Sequence, residues 1–178
     1  MLIRHATTSA VRRAAFPADE PLDERGVAAA SALRGAVTGD ALCGPSARAR
    51  ATAAALGLEV KVDAALDECD FGAWSGRALA DLGEAEVAAW LAGGAPHGGE
   101  TLAAFRARVG AWLGEQAALG GRGVAVTSGG VIKAAVCEAL AAPDAAFWRI
   151  DAAPLHTTEL HAHDGRWTVA HVNAPVRA

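Results

Sequence analysis

A chain of 178 residues, 52% of them hydrophobic, is long enough to bury a full core and reads as one domain over residues 1–178. A net charge of −4 lacks the basic excess of a general nucleic-acid binder, and no apolar run is long enough to span a bilayer. No basic-then-apolar leader precedes the first strand, and Cys43, Cys69 and Cys137 are too few and too scattered for a disulfide framework or a Cys-x-x-Cys metal site, so a cytoplasmic globular protein is expected.

The chain opens Met1-Leu2-Ile3-Arg4-His5-Ala6-Thr7-Thr8-Ser9. Two aliphatic residues running into an arginine and a histidine predict a short buried strand that ends in a loop. Residues 11–21 show no period and carry Pro17 and Pro21, which predicts a surface loop. Asp23 and Glu24 suit the positive end of a helix, and Val27, Ala30, Leu33 and Val37 recur at helical spacing as far as Gly39. Ala41–Cys43 reads as a short strand stopped by Gly44-Pro45. Residues 46–56 then form a helix carrying Arg48 and Arg50, ended by Gly57.

Residues 59–62 alternate like a strand and lead into an acidic, aromatic, glycine-punctuated loop over 66–76. Leu79, Leu82, Val87 and Trp90 mark a helix of weaker pattern, and residues 93–99 form a glycine-rich loop. Leu102, Phe105, Val109 and Leu113 define an amphipathic helix. Val124–Thr127 is the strongest strand, and Ser128-Gly129-Gly130 turns from it into a helix through Val131, Ala135 and Leu140. Residues 143–150 suggest a short helix, and 157–163 with 167–172 an antiparallel hairpin about Asp164-Gly165. This alternation predicts a three-layer α/β/α sandwich on a mostly parallel central sheet.

Three predicted strands end in groups that suit an anion. The first ends at Arg4-His5, the second leads to Arg48 in the first turn of a helix, and the third ends at Ser128-Gly129 at another helix start. Arginine offers a planar fork of donors, and helix N-termini present free N–H groups. In open α/β sheets, ligands bind beyond the carboxyl ends of the strands. A phosphate or carboxylate is therefore the expected guest.

The motifs Leu-Ile-Arg4-His5-Ala6-Thr7-Thr8, Gly44-Pro45-Ser46-Ala47-Arg48, Leu66-Asp67-Glu68-Cys69-Asp70-Phe71-Gly72, Gly98-Gly99-Glu100-Thr101 and Val126-Thr127-Ser128-Gly129-Gly130 resemble, in order, those of the histidine phosphatase superfamily, the phosphoglycerate mutase-like group. The resemblance spans nearly the whole chain. It implies a phosphomonoesterase acting on a small phosphorylated metabolite, with His5 as nucleophile, Arg4 and Arg48 holding the phosphoryl oxygens, and Glu68 as proton donor. No metal or cofactor is implied, since the arginines carry the electrostatic load. Ser128 stands where the family places a second histidine, which predicts weakened catalysis; Val11 and Ala6 replace a frequent Asn and the usual Gly.

Two other functions fit the same residues. The pocket is reusable for elimination or isomerisation of an anionic intermediate, and a non-catalytic anion sensor would need only the cradle. Thr8, Gly129, Trp74, His97 and His156 are further candidates for substrate contact, with His156 a partial substitute for the missing imidazole. His97 and the loops 11–21 and 92–100 are candidates to cover the site. Arg50 reads as a surface residue. His161 and His163 share a strand face but have no evident third metal ligand.

Overall fold

Side chains alternate across a strand, and Leu2 and Ile3 accordingly lie in two different cores. They belong to β1 (Leu2–Arg4), which pairs with β4 (Val124–Thr127); β2 (Ala41–Cys43) and β3 (Val60–Val62) continue the sheet on one side, β5 (His156–His163) and β6 (Arg166–Pro175) on the other. The order is β3-β2-β4-β1-β5-β6. Its first four strands are parallel, while β5 and β6 run antiparallel to their neighbours. The computed structural model describes residues 1–176.

Helices cover both faces. Leu2 and Ala125 pack with Phe105, Val109 and Leu113 of α5 (Leu102–Leu119) and with Val131 and Ala135 of α6 (Gly129–Ala139). Ile3, Cys43 and Val126 pack with Ala49, Ala53 and Leu56 of α3 (Ala47–Leu56) on the opposite face. Each large apolar side chain so buried contributes about 1.5–3 kcal/mol. The sandwich expected from the sequence is the observed architecture.

Local chemistry sets the ends of these helices. The Ser46 and Thr101 hydroxyls accept the N–H groups of Ala49 and Ala104 at the starts of α3 and α5. Gly57 ends α3 in the left-handed conformation, φ 81°. Asp23 caps α2 (Glu24–Ala32) by accepting the Gly26 N–H at 2.7 Å. Arg106, inside α5, binds Glu138 at 2.7 Å, Asp144 at 2.6 Å and the Ala142 carbonyl at 2.9 Å, tying α5 to the end of α6.

Three expectations need correction. The helix expected as far as Gly39 stops at Ala32: the Gly35 N–H bonds to the Leu56 carbonyl, which turns the chain toward the end of α3, and Val27 is left exposed. Within the expected 11–21 loop, the chain still completes a helical turn begun by the Thr8 cap, α1 (Ser9–Arg12). The weak helix near Leu79 is a 3-10 turn followed by α4 (Glu84–Leu91). Residues 144–149 are 3-10, and the Asp164-Gly165 hairpin forms with both residues at positive φ.

Candidate active site at the strand ends

Backbone hydrogen bonds knit the carboxyl ends of the central strands together. The His5 N–H donates to the Thr127 carbonyl at 2.8 Å, and the Gly44 N–H to the Val126 carbonyl at 3.0 Å. The Thr127 hydroxyl donates to the Leu66 carbonyl at 2.7 Å, which draws the acidic 66–76 segment against the same edge. The residues following β1, β2 and β4 are thereby gathered into one region.

His5 is 4% exposed. Its Nδ1 lies 2.8 Å from the Ala6 carbonyl. A carbonyl only accepts, so the proton sits on Nδ1 and Nε2 keeps a free lone pair. Burial, reinforced by the Arg48 and Arg4 guanidiniums and only partly opposed by the Ala6 bond, pushes the imidazole pKa down to about 3. At neutral pH the ring is uncharged, with the Nε2 lone pair free.

Arg48 sits in the first turn of α3 and is 3% exposed. It makes no ion pair among the described residues, and its Nε is buried without a partner. Arg4 donates from Nη1 to the Ala152 carbonyl, while its own Nε is also buried and unpartnered. Burial draws the Arg4 pKa below the usual arginine value, with Glu68 and Asp151 opposing the shift. Two buried guanidiniums with unused donors are costly unless an anion meets them.

Ser128 stands at the N-cap position of α6, but its side chain makes no capping hydrogen bond. Glu68 takes that role: its Oε2 accepts the Gly130 N–H at 3.1 Å and its Oε1 accepts the Cys69 N–H at 2.9 Å. A Cβ on Gly130 would overlap Glu68 Oε1, so only glycine admits the carboxylate here. The Ser128 hydroxyl is left buried and unpartnered, adjacent to the Arg4–Gly129 contact.

Arg108 of α5 holds the segment that carries Glu68. It donates to the carbonyls of Ala65 at 2.9 Å and Asp67 at 3.1 Å, and grips Glu100 through Nε and Nη2 at 3.0 and 2.7 Å. Sequence reasoning passed over Arg108, whose place on an amphipathic helix reads as ordinary surface.

Other candidates are placed differently. The Thr8 hydroxyl donates to Glu20 at 2.7 Å while accepting the α1 N–H of Val11, so its bonds are spent within the protein. Trp74, expected as a substrate contact, is 1% exposed and packs against Phe16 and His97, which makes it core. His97 is buried too; its Nδ1 accepts the Gly99 N–H at 3.0 Å, leaving Nε2 as an unpartnered donor, and burial lowers its pKa. His156 bonds through Nδ1 to the Pro154 carbonyl at 3.0 Å, next to the Leu155 N–H that binds the Arg4 carbonyl. Arg50 is exposed, as expected. His161 and His163 pair with Glu159 and Asp164 on the hairpin, and no group of three metal-ligating side chains occurs among the described residues.

A cavity of ≈ 200 Å³ opens beside Arg4 and Glu68. Gly129, Gly130 and Lys133 form one side, and the aromatic rings of Phe71, Trp90 and Trp148 another. Lys133 was not singled out by sequence, yet it stands four residues after Gly129, hence on the same face of α6. A larger hollow, ≈ 650 Å³, lies between α5 and the hairpin near Gly165 and holds none of these groups.

An α/β sheet with arginines and a neutral histidine at its strand ends defines a class of anion-handling folds. The chain belongs to the histidine phosphatase superfamily (branch 1), whose profile matches residues 1–175. It is similar to the structure of a putative alpha-ribazole-5'-P phosphatase from Escherichia coli, with 26% identity, TM-score 0.86, and 99% and 97% of the two chains covered. It is also similar to a mycobacterial glucosyl-3-phosphoglycerate phosphatase solved with VO3, with 29% identity, TM-score 0.83, and 97% of each chain covered. A structure described as mycobacterial hydrolase 1 shows 29% identity at TM-score 0.82 over 98% and 97%. No curated sequence matches. No helix of the described residues is long and apolar enough to cross a membrane.

Proposed function

We propose that the protein is a phosphomonoesterase that works through a phosphohistidine at His5 on a small phosphorylated metabolite. The observation that carries this reading is the buried trio of unpartnered donors, Arg4 Nε, Arg48 Nε and Ser128 Oγ, in the strand-end region that holds the neutral His5. His5 Nε2 attacks phosphorus; the N–P bond forms as the ester P–O bond breaks. Glu68, in its protonated form, delivers its proton to the leaving oxygen. Water then attacks the phosphohistidine, Glu68 takes back a proton, and phosphate departs with His5 restored. Arg4 and Arg48 hold the equatorial oxygens throughout.

Ser128 supplies a neutral hydroxyl where an imidazole would supply charge. Loss of one aligned transition-state donor typically costs about 10²- to 10³-fold in rate. The test is turnover of a generic phosphate ester with acid-labile phosphohistidine trapped in parallel. Wild type is expected to turn over slowly, His5→Ala to lose both signals, and Ser128→His to turn over faster. Undiminished turnover in His5→Ala overturns the proposal. Tight binding of phosphate with no turnover in any variant would replace it with an anion-binding role, and a product that keeps its phosphate with elimination or isomerisation.

A further inference from the structure

We infer that the cavity beside Arg4 is the leaving-group subsite, and that it selects phosphate esters whose alcohol carries one flat apolar ring bearing a second anionic group, received by Lys133. The assignment to a leaving group rests on the phosphatase reading above; the chemistry of the cavity does not.

Size comes first. An apolar cavity of about 150 Å³ suffices for benzene, and this one is ≈ 200 Å³. It admits a single ring with a substituent and little more. Its position comes next. Arg4, Glu68, Gly129 and Gly130 line it, so it is continuous with the group assigned to protonate the departing oxygen.

The walls choose the body of the guest. Phe71, Trp90 and Trp148 are only half-buried, although they pack edge-to-face among themselves and their neighbours, with Trp90 and Trp148 4.6 Å apart. The Trp148 indole N–H donates to the Leu91 carbonyl at 3.1 Å, which fixes this wall to the end of α4 before any ligand arrives. Such a preorganised aromatic surface favours a flat apolar group over a polyol.

The charges choose the substituent. Glu100 is taken by Arg108 and the Asp70 N–H, and Glu68 accepts two backbone N–H groups. Lys133 makes no ion pair or hydrogen bond among the described residues. Its ammonium lies 5.7 Å from the centre of the Phe147 ring, and burial lowers its pKa, with Glu68 opposing. A carboxylate or phosphate on the ring would relieve that desolvated cation.

The experiment compares 3-carboxyphenyl phosphate, phenyl phosphate and glycerol phosphate as substrates, and titrates 3-hydroxybenzoate into His5→Ala. Substitutions are read as ratios between esters on one protein, so intrinsic leaving-group reactivity cancels between wild type and variant. Lys133→Met is expected to lower kcat/KM for the carboxylated ester about tenfold more than for phenyl phosphate, the low end of what one charge-assisted contact is worth. Trp148→Ala is expected to penalise both aryl esters relative to glycerol phosphate. 3-Hydroxybenzoate should bind His5→Ala and lose affinity when Lys133→Met is added.

An equal loss for all three esters in Lys133→Met would make Lys133 a phosphate ligand and overturn the subsite. Hydrolysis with no preference altered by either substitution overturns it as well, while leaving the phosphatase reading standing. Lys133-dependent binding of 3-hydroxybenzoate by a protein that hydrolyses no ester upholds the pocket's chemistry and sinks the phosphatase reading instead.

Discussion

Among single residues, Arg48 shows most plainly how function is set against stability. A guanidinium 3% exposed and without a carboxylate partner costs free energy in the unliganded fold. Arg48→Met keeps the stem packed against α3 and removes the charge. In phosphate-free buffer this variant is expected to be more stable than wild type by about 1 kcal/mol, the lower end of what replacing a buried charge by an apolar isostere yields. Added phosphate or vanadate should raise the melting temperature of wild type and leave that of Arg48→Met nearly unmoved, as linkage requires of a lost site. A variant less stable than wild type in both buffers would show that Arg48 is structural. The gathering of Arg4, His5, Arg48 and Glu68 at one edge of the sheet was legible in the sequence, because motif order places them there without geometry. Ser128 was legible as a departure but not as an idle cap, since that depends on Glu68 arriving from 62 residues upstream to take the Gly130 N–H. Lys133 was hidden for a similar reason: a helix lysine reads as solvated until the aromatic wall opposite it is known.

At the level of elements, the start of α6 is where three chain segments meet. β4 delivers Ser128, β1 lays Arg4 over Gly129, and the 66–76 segment inserts Glu68 at Gly130. Gly130→Ala places a methyl group where Glu68 Oε1 now lies, so the carboxylate must withdraw from the helix end. The expected result is a fall in kcat of about 10²-fold or more, the usual worth of a positioned general acid, with phosphate affinity largely kept because Arg4 and Arg48 are untouched. A kcat within twofold of wild type would remove Glu68 from the proposed chemistry, "twofold" being about 0.4 kcal/mol on the barrier scale. Elements with strong periodicity, such as α5, or with cap and stop residues, such as α3 between Ser46 and Gly57, followed from the sequence directly. The early end of α2 did not, because the apolar period running on to Val37 masked the stop at Gly35, which turns the chain at φ 80°. Nor did α1, which is four residues long and too short to show a period.

Over the whole molecule, the two-faced core brings the strand ends together and also buries His5 beneath them, and that burial ties global stability to pH. The folded pKa of His5 lies near 3, below the ordinary histidine value near 6.5. Between these limits the unfolded chain binds a proton that the folded protein excludes, so stability rises with pH through the window and falls on acidification. At full strength the slope is about 1.4 kcal/mol per pH unit. His97, also buried with a lowered pKa, acts in the same direction. The carboxylates held below their usual range, Asp23 and Glu100 among them, lose their contribution only at lower pH, near and below the ordinary carboxylate range. Chemical denaturation between pH 7 and 4.5, compared between wild type and His5→Gln, cancels the other titrating groups and isolates His5. Wild type is expected to lose about 2–3 kcal/mol more over that interval than His5→Gln, which cannot titrate. Parallel stability curves for the two proteins would mean that folded His5 takes up its proton at the ordinary histidine pH, near 6.5, and that burial beside Arg4 and Arg48 does not hold the imidazole neutral on acidification.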